Sequence, residues 1–177
     1  MGDGRVIEFP SLGAFCEALE RGAAGAHGVR ADALLSGAKV IQAEARAILG
    51  HYQDAVGPFP AWEPLAPVTQ TDRAEAGYTP NDPLRVTGAL AANIEVSADA
   101  NEAAVGVPHV PVGDGTPGNE ARDIGVVAIV QEFGSGWVPE RSFLGRAAYV
   151  ARDRAAKVVV DIILAELLGG ATPGDGR

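Results

Sequence analysis

Few residues in this chain have the types and spacing to do chemistry. The three histidines, His27, His51 and His109, are far apart and have no HxxxH or HxxE partner. Each therefore reads as a surface or loop residue rather than part of a metal-ligand set. Cys16 is the single cysteine, which excludes an intramolecular disulfide and a cysteine-rich zinc site. It is expected as a small buried hydrophobe on a helix. Residues 113–118 (GDGTPG) have the glycines of a phosphate loop but no lysine after them. The chain also lacks GxxxxGK(S/T) and the GxSxG nucleophile turn, and no carboxylate pair is nominated for acid–base work. Neither catalysis, a cofactor nor a metal is expected.

Composition narrows the partners. The 177 residues carry 14 Lys+Arg against 23 Asp+Glu, a net charge of −9. That balance argues against sequence-independent nucleic-acid binding, which needs cations to neutralise phosphates. No apolar run approaches the roughly 20 residues that span a bilayer, so no membrane partner is expected. The opening MGDGRVIEF is acidic and lacks a long apolar region, so the chain reads as made in a reducing cytoplasm. One stretch runs against the overall charge. Arg141, Arg146, Arg152, Arg154 and Lys157 face only Asp153 within residues 141–157. This is either a solvated helix face or a basic subunit contact that meets an acidic face of the next copy.

The positioning elements are legible to different degrees. Val6 to Phe9 is a short strand or lead-in, and Ser11 caps a first helical pattern through Leu12, Phe15, Cys16 and Leu19. Residues 22–28 are small and read as a hinge or turn. Leu34, Ala38, Ile41, Ala45, Ile48 and Tyr52 then recur at steps of four and three, predicting a helix over about 30–53. Half of the 12 prolines fall within residues 55–83, which predicts an extended arm without helix or ladder. Its Trp62 could anchor it on its own sheet or on a neighbour's. A helical turn is expected within residues 84–92, followed by a hairpin of Ile94, Val96, Ala98 against Ala103, Val105, Val107. Residues 108–120 read as an exposed loop. The apolar, β-branched run 124–130 fits a central strand, although periodicity leaves a buried turn of helix open. Leu144, Ala148, Ala151, Ala155, Val158, Ile162 and Ala165 mark a last helix over about 143–168, ended by Gly169–Gly170.

The stretch 131–144, QEFGSGWVPERSFL, joins that run to the last helix through a loop rich in aromatics and glycine. Phe133, Phe143 and Leu144 read as core anchors, with intersubunit contact as the alternative. Trp137, at the loop apex, is the interface candidate. Gly134 and Gly88 suit backbone conformations that other residues disfavour.

WEPLAP at 62–67, DPLRVTGALAANI at 82–94, VGV at 105–107 and EFGSGWVPERSFL at 132–144 stand in an order that resembles a known family. It is the tail-completion or head–tail joining proteins of long-tailed bacteriophages, a group that includes virion morphogenesis and minor tail proteins. Its members show W-x-P-L-(S/A)-P-x-T, L-x-x-T-G-x-L-x-x-S-I and E-F-G-T…P-x-R-P-F-L leading into a C-terminal helix. By that pattern Gly88, Glu132, Phe133, Gly134, Phe143 and Leu144 are motif positions. Asn93 and Ser135 replace a serine and a threonine, and Ser142 replaces a proline, which loosens the backbone constraint before the helix. The resemblance covers about residues 30–168.

The resemblance implies a structural virion protein at the neck or top of the tail, assembled in the bacterial host cytoplasm. It would form a homo-oligomeric ring, commonly a hexamer, that caps the tail tube and meets the head connector or head-closure protein. DNA would pass through the lumen without specific binding, and an acidic lumen wall would let it slide. Candidate interface residues are Trp62, Trp137, Arg141, Arg146 and Arg152. The expected fold is α+β: a three- or four-stranded, mostly antiparallel sheet packed by the long N-terminal and C-terminal helices, in one domain over 1–168 with a flexible tail. The alternatives are a neck adaptor on the portal side and, in a different class, a small enzyme or ligand-binding protein.

Overall fold

A computed structural model describes residues 11–113 and 121–169. The expected strand at 6–9, most of the 108–120 loop and the tail after Gly169 lie outside the described residues. The elements in order are α1 (Leu12–Ile48), α2 (Pro67–Glu75), α3 (Ala89–Ala92), β1 (Glu95–Ala98), β2 (Ala103–Gly106), β3 (Pro111–Val112), β4 (Arg122–Asp123), α4 (Ile124–Phe133) and α5 (Leu144–Gly169). The fold is α+β.

The first helix starts where a cap is available. The Ser11 hydroxyl accepts from the Ala14 N–H at 3.1 Å, from an extended backbone. The expected hinge at 22–28 does not form, and α1 runs unbroken for 37 residues, about 55 Å at 1.5 Å per residue. Glycine lowers helix propensity by about 1 kcal/mol but removes no donor and makes no clash. Only proline does that, and α1 contains none. Cys16 lies on this helix as expected, but exposed rather than buried.

The main packing is α1 against α5 along small residues. Ala33, Ala38 and Ala45 on α1 and Ala147, Ala151 and Ala155 on α5 are all buried. At Gly37 an added Cβ would lie 2.7 Å from Val159 Cγ2 and 3.3 Å from the Ala155 carbonyl oxygen, so this position sets the close approach. The core continues from this seam through Ile48, Leu49, Trp62, Leu90, Ile94, Ile124, Ala128 and Phe143.

The strands form two separate antiparallel ribbons, β1–β2 and β3–β4, rather than one sheet of three or four. The first is the expected hairpin, with Glu95 opposite Gly106 and Ala98 opposite Ala103. Its turn is closed by the Asp99 carboxylate, which accepts from the Asn101 N–H at 2.7 Å and the Glu102 N–H at 3.0 Å. It is tied to α1 where Gln42 Nε2 and Arg46 Nη2 donate to the Ile94 carbonyl at 2.6 and 2.7 Å.

The run 124–130 is helix α4, not a central strand. Asp123 supplies the reason. Its carboxylate accepts from the Gly125 N–H at 2.8 Å and the Val126 N–H at 3.2 Å, which starts a helix that β-branched content alone would disfavour.

The 55–83 arm also departs from expectation. It contains α2, with Pro67 in its first turn, where the missing N–H has no helical partner anyway. It also contains a small bridge in which Val56 and Phe59 exchange hydrogen bonds at 2.9 and 3.0 Å. Trp62, Leu65 and Pro83 are buried, and Tyr52 Oη accepts from the Leu65 N–H at 3.0 Å and donates to Asn81 Oδ1 at 2.6 Å. These contacts hold the arm on its own chain.

Candidate interaction surface

Stretch 131–144 is built around one carboxylate. Glu132 is buried at the inner face of α4, in register with buried Ile124 and Ala128. Its oxygens accept from Ser142 Oγ at 2.6 Å and from the backbone N–H groups of Phe143, Leu144 and Gly145 at 2.8, 2.9 and 2.9 Å. These amides are the orphan donors that any helix start leaves, so Glu132 caps α5 from a different helix. α5 has no acidic residue in its own first turn, and the Glu132 charge also complements its dipole. Ser142, where the family pattern has proline, is buried and bonded to this carboxylate, so a hydrogen bond fixes the junction where a loosened backbone was expected.

The loop between α4 and α5 is tightly specified. Gly134 has φ 72° and ψ 179°, and a Cβ there would meet the Glu140 nitrogen at 2.9 Å. Such a conformation is essentially restricted to glycine. The Ser135 N–H donates to the Val138 carbonyl at 2.8 Å, the Ser135 hydroxyl accepts from the Val138 N–H at 3.2 Å, and the Arg141 N–H donates to the Gln131 carbonyl at 2.7 Å. The turn so closed presents Trp137 with 96% of its surface exposed.

Trp137 follows a helix, α4, that carries its own exposed apolar stripe. Val126, Ile129 and Phe133 follow helical spacing on the outer face and are 50%, 50% and 75% exposed. Phe133 is therefore a surface residue and not the expected core anchor. Phe143 is buried at 0% exposure and Leu144 is half-buried against the core. Gly88, with φ 84°, caps α3.

Two of the five basic residues turn inward. Arg141 and Arg146, expected at an interface, are buried within the chain. Arg146 donates to the carbonyls of Asp54 and Pro60, both at 2.6 Å, and lies 6.0 Å from the centre of the Trp62 ring. Arg141 donates to the Glu63 carbonyl at 3.0 Å. Burial holds both guanidinium groups below their ordinary pKa, with Tyr52 and Glu63 opposing at Arg141 and Asp54 opposing at Arg146. Arg154 pairs with Glu44, and Lys157 with Asp161 at 2.6 Å. Arg152 stays exposed, stacked 4.9 Å from the centre of the Tyr149 ring. Of the five basic residues, two are used inside the fold and three (Arg152, Arg154 and Lys157) lie exposed along α5 with carboxylate neighbours, while Trp62 is a core residue rather than a contact for a neighbour.

At the other end of α4, the Asp123 carboxylate takes His109 Nδ1 at 3.1 Å besides its two amides. Desolvation raises its pKa, but the Val126 amide, His109 and the Gly125 amide outweigh it and leave the pKa lowered. The stabilisation from a depressed carboxylate is present above its unfolded value near 3.9 and is lost as pH falls through the folded value. Thermal melts between pH 6 and 2.5 should thus show an acid-side loss of stability that is shallower in Asp123→Asn. Parallel curves for the two proteins would remove this cap from the acid response.

Among the described residues, no group of histidines, cysteines and carboxylates is placed to hold a metal, and no helix is long and apolar enough to cross a membrane. No protein-family model, curated protein or solved structure matches the chain. The site is thus defined by its own geometry: an apolar ridge on a helix and a loop that are locked to the core from below.

Proposed function

We propose that this chain is a structural virion protein of the head–tail interface. It self-assembles into a ring that caps the tail tube and joins it to the head connector, with DNA passing through the lumen. The observation that carries the reading is the exposed stripe of Val126, Ile129 and Phe133 on α4, together with exposed Trp137 on the loop that follows it. Apolar side chains fixed at helical spacing on a rigid support suit burial against another protein chain. A second support is the meeting of the family-like stretches. Trp62, Leu90, Ile94 and Phe143, one or more from each of 62–67, 82–94 and 132–144, pack in one core cluster. The resemblance thus falls on residues that build the fold together.

The direct test is size-exclusion chromatography with light scattering, alone and with tail tubes, followed by an in-cell particle assay. A ring-sized oligomer is expected for the unmodified chain, either free or on addition of tubes. Trp137→Ala should keep the circular dichroism spectrum and lose at least about tenfold in joined particles, the scale of a hot-spot truncation. A strict monomer under all conditions, or an unchanged yield of joined particles, overturns the reading.

A further inference from the structure

A second candidate surface lies along α1 and α5. An open groove of about 470 Å³ runs between α1 and α5, lined by Lys39, Val40, Ala43, Glu44, Ala47 and Arg154. Its apolar lining is Val40, Ala43 and Ala47, small side chains that stand between the longer Lys39, Glu44 and Arg154. Val150, one helical turn before Arg154 on α5, is 45% exposed.

We infer that the groove receives the Trp137 knob of a second copy of this chain. The inference rests on the self-assembly proposed above and assigns the two halves of the contact. Shape is the first argument. Trp137 projects singly from a closed turn with an apolar indole, and an open groove lined by Val40, Ala43 and Ala47 can accept one flat ring. Charge is the second. Glu140, three residues after Trp137, and Lys39, at the groove, are both exposed and form no ion pair among the described residues. A docked knob brings that carboxylate towards that ammonium, and places the indole face near the cations Lys39 and Arg154.

Topology is the third argument. Arg154 lies ten residues along α5 from Leu144, roughly 15 Å at 1.5 Å per residue, while the knob precedes the start of the helix. Knob and groove are therefore different patches, and joining them is head-to-tail. Head-to-tail contacts give rings when the rotation closes, whereas a self-complementary patch stops at a dimer. The knob alone is too small for a stable interface, so the neighbouring ridge of Val126, Ile129 and Phe133 is covered in the same contact.

Disulfide trapping tests the pairing in the full-length chain with Cys16→Ser, which removes the only native thiol. Gly136→Cys leaves Trp137 in place, since an added Cβ at Gly136 has nothing within 4 Å, and Ala47→Cys marks the groove. With both substitutions in one chain, mild oxidation should give a ladder of covalent multimers, and each single variant should give none beyond dimer. Lys39→Glu should weaken self-association at least about tenfold in sedimentation, with partial recovery on adding Glu140→Lys. An oligomer by light scattering without the ladder overturns the knob-in-groove pairing and leaves self-assembly standing. Gly136→Cys alone trapping as efficiently as the double variant points to a knob-on-knob dimer and also overturns it. A monomer throughout overturns the proposed function as well.

Discussion

Glu132→Ala should lower unfolding stability by about 3–5 kcal/mol, the largest loss expected from any single side chain here. The carboxylate is the common acceptor for Ser142 Oγ and three consecutive amides at the start of α5. Removing it strands donors in a buried position, where each unmet group costs about 1–3 kcal/mol, and also removes a negative charge from a helix N-terminus. The terms overlap, so the total is less than their sum. Glu132→Gln should recover less than half, because its amide NH2 would face donors instead of accepting from them. Urea unfolding followed by circular dichroism reads both. An Ala variant within about 1 kcal/mol of the parent would show that water satisfies these amides as well as the carboxylate does.

Arg146→Met ranks second, at about 2–4 kcal/mol. It keeps much of the apolar stem that covers Trp62 but loses two charge-assisted bonds that hold the carbonyls of Asp54 and Pro60 against α5. Two features temper the loss. Asp54 and Pro60 are exposed residues whose carbonyls can turn to water, and the Arg146 Nε–H finds no acceptor among the described residues. Arg146→Lys should not rescue, since one ammonium cannot reproduce the two-pronged span of the guanidinium. The local effect is separable from global stability. In a Trp137→Phe background Trp62 is the one tryptophan left, and with excitation selective for tryptophan Arg146→Met should shift its emission to the red and open residues 54–64 to protease. Unchanged emission with unchanged cleavage would mean that the arm holds without the arginine.

Both residues show what the sequence conveyed and what it withheld. The regular stripes of α1 and α5 carried their own evidence, because an alanine-rich face repeated at three and four residues has few alternatives to a packed helix. The hairpin was legible for the same kind of reason, with strict alternation on either side of Asp99. Helix α4 was hidden by its composition. It is apolar on the face that meets the core and apolar again on the face carrying Val126, Ile129 and Phe133, so no period stands out. The same doubling that disguised the helix left the ridge exposed, and an Asp immediately before an apolar run was the available clue. Glu132 was visible as a motif residue, but its role as a cap is non-local by ten to thirteen positions. Arg141 and Arg146 misled because charge was counted along the chain. Their partners are carbonyls of a proline-rich arm some eighty to ninety positions away, which no local pattern announces.

The alanine seam has a consequence for how the chain is made. It joins the first described helix to the last, so α1 leaves the ribosome long before its packing partner exists. The intervening stretch of about 100 residues takes roughly 5–20 s to synthesise at bacterial to eukaryotic rates. During that interval the face of α1 waits in water. At Ala33, Gly37, Ala38 and Ala45, leucine or phenylalanine would enlarge the sticky surface already offered by Ile41 and Ile48, whereas alanine and glycine add little apolar area. The small residues that permit close packing in the finished protein also limit what its unfinished form exposes.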